Sequence, residues 1–201
     1  MLIEITPVQE FDVEPSIASL VRAFDADPLM HYFFGAADLP RTAAVAQFFS
    51  QLMQVRLALG APVLQACVDG AIAGLVMGYG VSRPDWPPEK VRHWDAWVQS
   101  MPGLDARFRA YDAVSEQFTP VENHHYLGVI GVDPLWHGKG VGRHLLEAYC
   151  GLAADDSRSR GVYLETTNPA SLAFYERNGF CVVGKGDLDG TSLWCVYRTV
   201  R

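Results

Sequence analysis

Gly138-Lys-Gly-Val-Gly142 is the stretch of this chain whose spacing most directly implies chemistry. Glycine at every second position removes the β-carbons that shield backbone N–H groups, so an anion can approach the main chain. An apolar run from Tyr126 to Val132 leads into the turn and stops at Asp133-Pro134, which reads as a buried strand. Past the turn, Val141, Leu145, Leu146 and Tyr149 recur at helical spacing. The free donors of a helix's first turn therefore point back into the loop, as in a phosphate cradle. Arg143-His144 after Gly142 supplies no Lys-Ser/Thr, which excludes a nucleotide P-loop. G-x-G-x-G with no acidic residue closing a second strand is not a dinucleotide fingerprint either. For the glycines alone, a plain tight turn is the competing reading.

Two further stretches could do chemistry. Leu164 to Phe180 reads as a strand ending at Thr166-Thr167-Asn168, then Pro169 at a first helical position and a helix that Gly179 stops. Asp25 to Phe34 sets Asp25 and Asp27 beside Tyr32, Phe33 and Phe34. One reading of the latter is a helix end with its packing residues. The other is a pocket wall, where aromatics hold the organic part of an amine and a carboxylate holds its charge.

The turn His137-Gly-Lys-Gly-Val-Gly142 resembles the pyrophosphate loop of the GNAT superfamily of acyl-CoA-dependent N-acyltransferases, written Gln/Arg-x-x-Gly-x-Gly/Ala. It departs from that pattern at His137. Asn168 and the run Phe174-Tyr-Glu-Arg-Asn-Gly-Phe180 look like the other half of that family's cofactor site, in the family's order. Leu164-Glu-Thr-Thr and the ending Trp194-Cys195 resemble the branch that contains puromycin N-acetyltransferase. The likeness is strongest from Tyr126 onward. It implies an α/β (α+β) fold with a mixed, mostly antiparallel sheet of about seven strands, helices on both faces and a helical insertion before the fourth strand. It also implies acetyl-CoA as cofactor. Ile130, Gly131 and Val132 would hold the pantetheine arm, and His137, Gly138, Lys139, Gly140, Val141, Gly142 and Arg143 would surround the diphosphate. Asn168, Ser171 and Tyr175 would complete that site.

Acyl transfer from a thioester to an amine needs a neutral nucleophile, a polarised carbonyl and a proton for the departing thiolate. By resemblance Tyr175 is the general acid, its phenol being protonated at neutral pH. The family's usual base position on the strand before the glycine turn is Tyr126, a poor base. His124 shares its face by strict alternation, titrates in the right range, and has Glu122 just beyond, so either is a candidate base. Asp27, Tyr32, Phe33 and Tyr126 are the candidate acceptor-binding residues. The expected function is transfer of acetyl to a primary amine of a small molecule, such as an antibiotic, amino sugar or aminonucleoside. A CoA-binding regulator and a protein or peptide N-acetyltransferase are the alternatives.

The elements that must position these residues follow from pattern. Leu2 to Pro7 alternates as a strand, and Ile17, Leu20, Val21 and Phe24 mark a helix. A second helix, from about Arg41 to Leu59, carries Val45, Phe48, Phe49, Leu52, Val55 and Leu59 on one face. Pro62 to Val68 and Ala71 to Tyr79 are strands joined by Asp69-Gly70, a hairpin signal. Between Ser82 and Pro120, prolines punctuate two amphipathic stretches, Lys90 to Gln99 and Leu104 to Phe118, with Trp86, Trp94 and Trp97. This insertion is either a substrate-facing lid or helices packed on the sheet. Cys181 to Gly184 and Ser192 to Arg198 close the chain as strands. One domain over 1–201 is expected: an acceptor-side half at 1–80, the insertion at 81–120 and an acetyl-CoA half at 121–201.

The 201 residues, 49% of them hydrophobic, suffice for a sizeable core. No run is long and apolar enough to span a bilayer and Met1-Leu-Ile-Glu-Ile is not a signal peptide, so a cytoplasmic protein without membrane contact is expected. A net charge of −7 argues against nucleic acid and suits a cationic amine. Cys67, Cys150, Cys181 and Cys195 lack metal-ligand spacing and sit in apolar contexts, which predicts buried free thiols and no metal site. A homodimer is a candidate assembly.

Overall fold

Two tight turns of the same chemistry fix most of the sheet. Asp69-Gly70 has φ of 50° and 81° and Asp189-Gly190 has φ of 51° and 90°, both in the left-handed region that a two-residue hairpin requires. They join Val63–Val68 (β2) to Ala71–Tyr79 (β3), and Cys181–Leu188 (β6) to Thr191–Thr199 (β7). With Ile3–Pro7 (β1), His125–Val132 (β4) and Gly161–Thr166 (β5), these strands form one seven-stranded sheet in the order β1-β2-β3-β4-β5-β7-β6. The computed structural model describes residues 1–35 and 40–200. Every strand pairing is antiparallel except β4 with β5.

Helices cover both faces. Val13–Ala23 (α1), Pro28–Phe34 (α2), Arg41–Ala58 (α3), Pro88–Gln99 (α4) and Leu104–Phe118 (α5) precede β4, while Val141–Asp155 (α6) and Pro169–Arg177 (α7) flank β5. One apolar core joins Leu75, Met77 and Val129 of the sheet to Leu20, Phe33, Phe48 and Phe49. The other joins Val76, Leu127 and Leu164 to Leu145, Leu146 and Tyr149 of α6. Sidedness of this kind follows from the period-2 alternation of strands and the apolar stripe of each helix. Among the described residues no helix is long and apolar enough to cross a membrane.

Three sequence expectations change. Strict alternation predicts Tyr126, Gly128, Ile130 and Val132 on one face of β4. Met77 lies opposite Val129 but Gly78 opposite Leu127, so Gly128 is an extra residue and the alternation breaks there. A side chain at Gly128 would meet Arg56 and Tyr126, whereas Ile130 and Val132 pack on the α6 side. Second, β6 runs to Leu188 rather than Gly184. Gly184 and Gly186 do not break it; they let Phe118 and Val114 of α5 seat directly on the strand. Third, Cys150 and Cys195 are buried free thiols, but Cys67 is half-buried and Cys181 is exposed at the start of the edge strand β6.

The β3–β4 junction is held from the α6 side by Tyr149. Its hydroxyl lies 3.0 Å from the Tyr79 carbonyl and 2.7 Å from the Tyr126 carbonyl, and donates its one proton between them. Tyr149→Phe should therefore cost about 1–2 kcal/mol by leaving buried carbonyls short of a donor. Urea unfolding followed by far-UV circular dichroism measures this, and unchanged stability would remove the hydroxyl from the account.

Candidate active site

β4 and β5 pair only at His125↔Val162 and Tyr126↔Tyr163. Beyond Tyr126 the two strands part, and a cavity of about 300 Å³ opens between them and the helices. It is lined by the parted stretch of β4, Leu127 to Ile130, by Glu165 and Thr166 of β5, and by Thr167 just past that strand. Phe33, Phe48, Leu52, Trp94 and Phe108 form an apolar wall, and Ser171 and Tyr175 of α7 also line the cavity. α5 packs on the sheet, and the same helix, with Trp94 of α4, faces the cavity.

The glycine turn sits at the end of α6 nearest α7. Gly138 and Gly140 have φ of 72° and 84°, a conformation that side chains with a β-carbon resist. Gly140 is the N-cap and has no side chain to cap the helix. The first helical bond runs from His144 N–H to the Gly140 carbonyl at 3.1 Å, which leaves the amides of Val141, Gly142 and Arg143 without helical acceptors. By contrast, Asp27 caps α2 and Asn168 caps α7 with their own side chains. His137 donates from Nε2 to the Val132 carbonyl at 2.9 Å and ties the turn to β4. Lys139 lies 4.4 Å from the centre of the Trp136 ring. A β-carbon at Gly142 would touch Val132 and Phe174, so the turn, β4 and α7 converge.

Of the candidates read from sequence, Asp27, Phe33, Tyr126, Ile130, Ser171 and Tyr175 line one cavity. Gly131 faces Leu20 of α1 and Phe24 just past that helix, and it offers only backbone. Asn168 accepts Ala170 N–H at 2.9 Å through Oδ1, which leaves its amide NH2 as a donor. Tyr32 packs against the aromatic core and does not line the cavity. Glu122 is exposed and His124 lies on the flank. Both nitrogens of His124 are engaged, Nδ1 at 2.7 Å from the Glu122 carbonyl and Nε2 at 3.2 Å from Arg83 Nη2. Burial pushes its imidazole pKa down. His124 shares the face of Tyr126, with Arg83 against both, but it stands at the end where β4 and β5 are still paired and does not line the cavity.

Glu165 is a residue that the sequence reading passes over. Tyr111 donates to it at 3.1 Å, Ser115 also donates to it, and the Tyr126 hydroxyl joins the same group. Burial pushes the Glu165 carboxyl up, and the hydroxyl donors oppose this without cancelling it. Burial likewise raises Asp112, which lines the same cavity. Tyr175 is raised by burial and then by the nearby Asp27 carboxylate, so its phenol stays protonated. Asp27 itself is raised by burial despite accepting from Leu29 and Met30 N–H at 3.0 and 3.3 Å.

Comparison with known proteins fits this geometry. The sequence model of the acetyltransferase (GNAT) family matches residues 31–180. The chain belongs to the GNAT acetyltransferase family. Its seven-stranded, mostly antiparallel sheet with helices on both faces is the GNAT fold. A histone acetyltransferase HPA2 and related acetyltransferase of Corynebacterium glutamicum is 24% identical over 98% of this chain and 96% of its own, with a TM-score of 0.67. Arylalkylamine N-acetyltransferase 2 of Aedes aegypti superposes with a TM-score of 0.72 over the whole of both chains at 16% identity. A local match to the N-alpha-acetyltransferase RimI of Mycobacterium tuberculosis is 47% identical over 57 residues, 27% of this chain and 34% of that protein. As a GNAT acetyltransferase the chain uses acetyl-CoA. Two features of the site suit that cofactor: the uncapped N-terminus of α6, and the buried Thr167 hydroxyl, which has no partner and lines the cavity.

Gly140→Asp would place a β-carbon at a left-handed position and a carboxylate among the free amides. Calorimetry with coenzyme A should show affinity lowered by about a hundredfold, with unaltered affinity counting against the cradle.

Proposed function

We propose that this GNAT acetyltransferase moves acetyl from acetyl-CoA to the primary amine of a small molecule with an aromatic or apolar body. One observation carries this reading. Tyr175 and Glu165 line the same aromatic-walled cavity of about 300 Å³, which begins where β4 and β5 part. A concave apolar site with a few converging polar groups suits a small ligand. Its walls favour a ring or alkyl chain over an amino sugar.

The roles follow from chemistry. Acetyl-CoA supplies an activated acyl group as a thioester. In this reading the amides of Gly138 to Arg143 hold its diphosphate and the unpaired edge of β4 holds its pantetheine arm. Asn168 and Thr167 add polar contacts from the β5 side. A backbone N–H on the parted stretch of β4 polarises the carbonyl. Glu165 receives the amine's proton, and burial makes it a stronger base than an exposed glutamate. Tyr175 Oη gives its proton to the departing sulfur. The dry site that raises the phenol raises a thiol as well, which keeps that transfer within reach.

The local likeness to an N-alpha-acetyltransferase favours a second reading, in which the amine is the N-terminus of a peptide. Thiol release measured against alkylamines, arylalkylamines, amino sugars and short peptides separates the two. The fastest turnover is expected with amines bearing a ring or alkyl chain. Turnover confined to peptides would replace the small-molecule reading.

Tyr175→Phe should lower kcat by about a hundredfold and leave affinity for coenzyme A unaltered. A normal kcat would remove Tyr175 from the mechanism. For Glu165 the sign is fixed by its role: the carboxylate form is active, so kcat/KM falls as pH drops through a pKa raised above the ordinary glutamate value. Glu165→Gln should abolish that acid limb and cost about a hundredfold in kcat/KM. A variant that keeps the limb would show that another group takes the proton.

A further inference from the structure

The cavity holds one cation that the transfer chemistry does not use. Arg56 stands in the last turn of α3, on the face that carries Phe48 and Leu52, and it lines the cavity with them. It is only 3% exposed. Nη1 donates to the Leu52 carbonyl at 3.0 Å, and the guanidinium carbon lies 4.7 Å from the centre of the Tyr79 ring. Nε is buried with no partner. Among the described residues no carboxylate lies within ion-pair distance of Arg56.

A guanidinium stays charged, and a buried charge without a counter-ion is costly unless a ligand supplies one. The bulge in β4 gives the group its place. A β-carbon at Gly128 would stand 2.7 Å from Arg56 Nη2, so a larger residue there would have to push the guanidinium aside. Tyr126 lies between the charges of the cavity, within electrostatic reach of both Arg56 and Glu165. The lining of the cavity therefore carries Arg56 together with the carboxylates of Asp27, Asp112 and Glu165 and an apolar wall. An amine alone would leave Arg56 without a counter-ion.

We propose that the acceptor is an amine that also bears a carboxylate, an amino acid with an aromatic or apolar side chain, and that Arg56 binds its carboxylate. The planar fork of the guanidinium matches a carboxylate with two parallel hydrogen bonds. Glu165 then faces the ammonium, and the ring or alkyl chain lies on Phe48 and Phe108. This inference rests on the transferase reading above and narrows its substrate.

The test compares matched pairs in the thiol-release assay: phenylalanine against phenethylamine, and tryptophan against tryptamine. Wild type should favour the amino acid in kcat/KM by about tenfold or more. Arg56→Met should erase that preference, read as the ratio of kcat/KM within each pair. A binding measurement needs no turnover. 3-Phenylpropionate, which has the carboxylate and ring but no amine, should bind wild type by calorimetry and lose about tenfold in affinity in Arg56→Lys and more in Arg56→Met. Circular dichroism and coenzyme A affinity show that each variant is folded. Equal or faster transfer to phenethylamine and tryptamine by wild type overturns the carboxylate subsite and leaves the transferase reading standing. Acetyl transfer to none of the amines or peptides overturns both.

Discussion

Two parallel strands that pair at only two positions and then diverge leave main-chain donors and acceptors facing a gap. Buried backbone groups are nearly always paired, so such a gap persists in a folded protein where something else completes it. Here β4 parts from β5 after Tyr126, and the surrounding structure holds the parting open. The extra residue Gly128 bends β4 and Tyr149 fastens its near end from the α6 side. Arg22 of α1 is paired with buried Asp133 just past the far end of the strand at 2.6 Å, and His137 ties the glycine turn back to Val132. In the proposed reading, the occupant of this gap is the extended arm of acetyl-CoA.

The electrostatics of the cavity depend on the same separation. Glu165 and Arg56 are opposite charges near one site, yet they do not form a salt bridge. Hydroxyl groups of Tyr111, Ser115 and Tyr126 solvate the carboxylate, while the Tyr79 ring and a carbonyl of its own helix hold the guanidinium. A direct pair would satisfy both charges and leave neither for a substrate. Neutral donors keep the carboxylate in place while burial keeps it basic, a combination suited to taking a proton from an amine.

Much of this was legible in the sequence, for identifiable reasons. The glycine turn, the capped start of α7 at Asn168-Pro169 and the Asp69-Gly70 hairpin are local devices, written in residues only a few positions apart. Glu165 was not legible as a site residue because β5 is buried on both faces, and one carboxylate in such a strand carries no periodic signal. Arg56 left a trace: it follows Phe48 and Leu52 at four-residue spacing, a charge on an otherwise apolar helix face. His124 does share the face of Tyr126, but pattern alone does not reveal that the cavity begins only beyond Tyr126, where β4 and β5 part. The length of β6 was hidden by Gly184 and Gly186, whose purpose is the approach of a helix more than sixty residues earlier in the chain.

A crystal structure grown with coenzyme A is the most direct test. Diphosphate oxygens at about 3 Å from the amide nitrogens of the turn between Gly138 and Arg143, with the thiol end lying between β4 and β5 toward Tyr175, is the predicted result. Coenzyme A bound elsewhere, with the turn and the gap both empty, would contradict it.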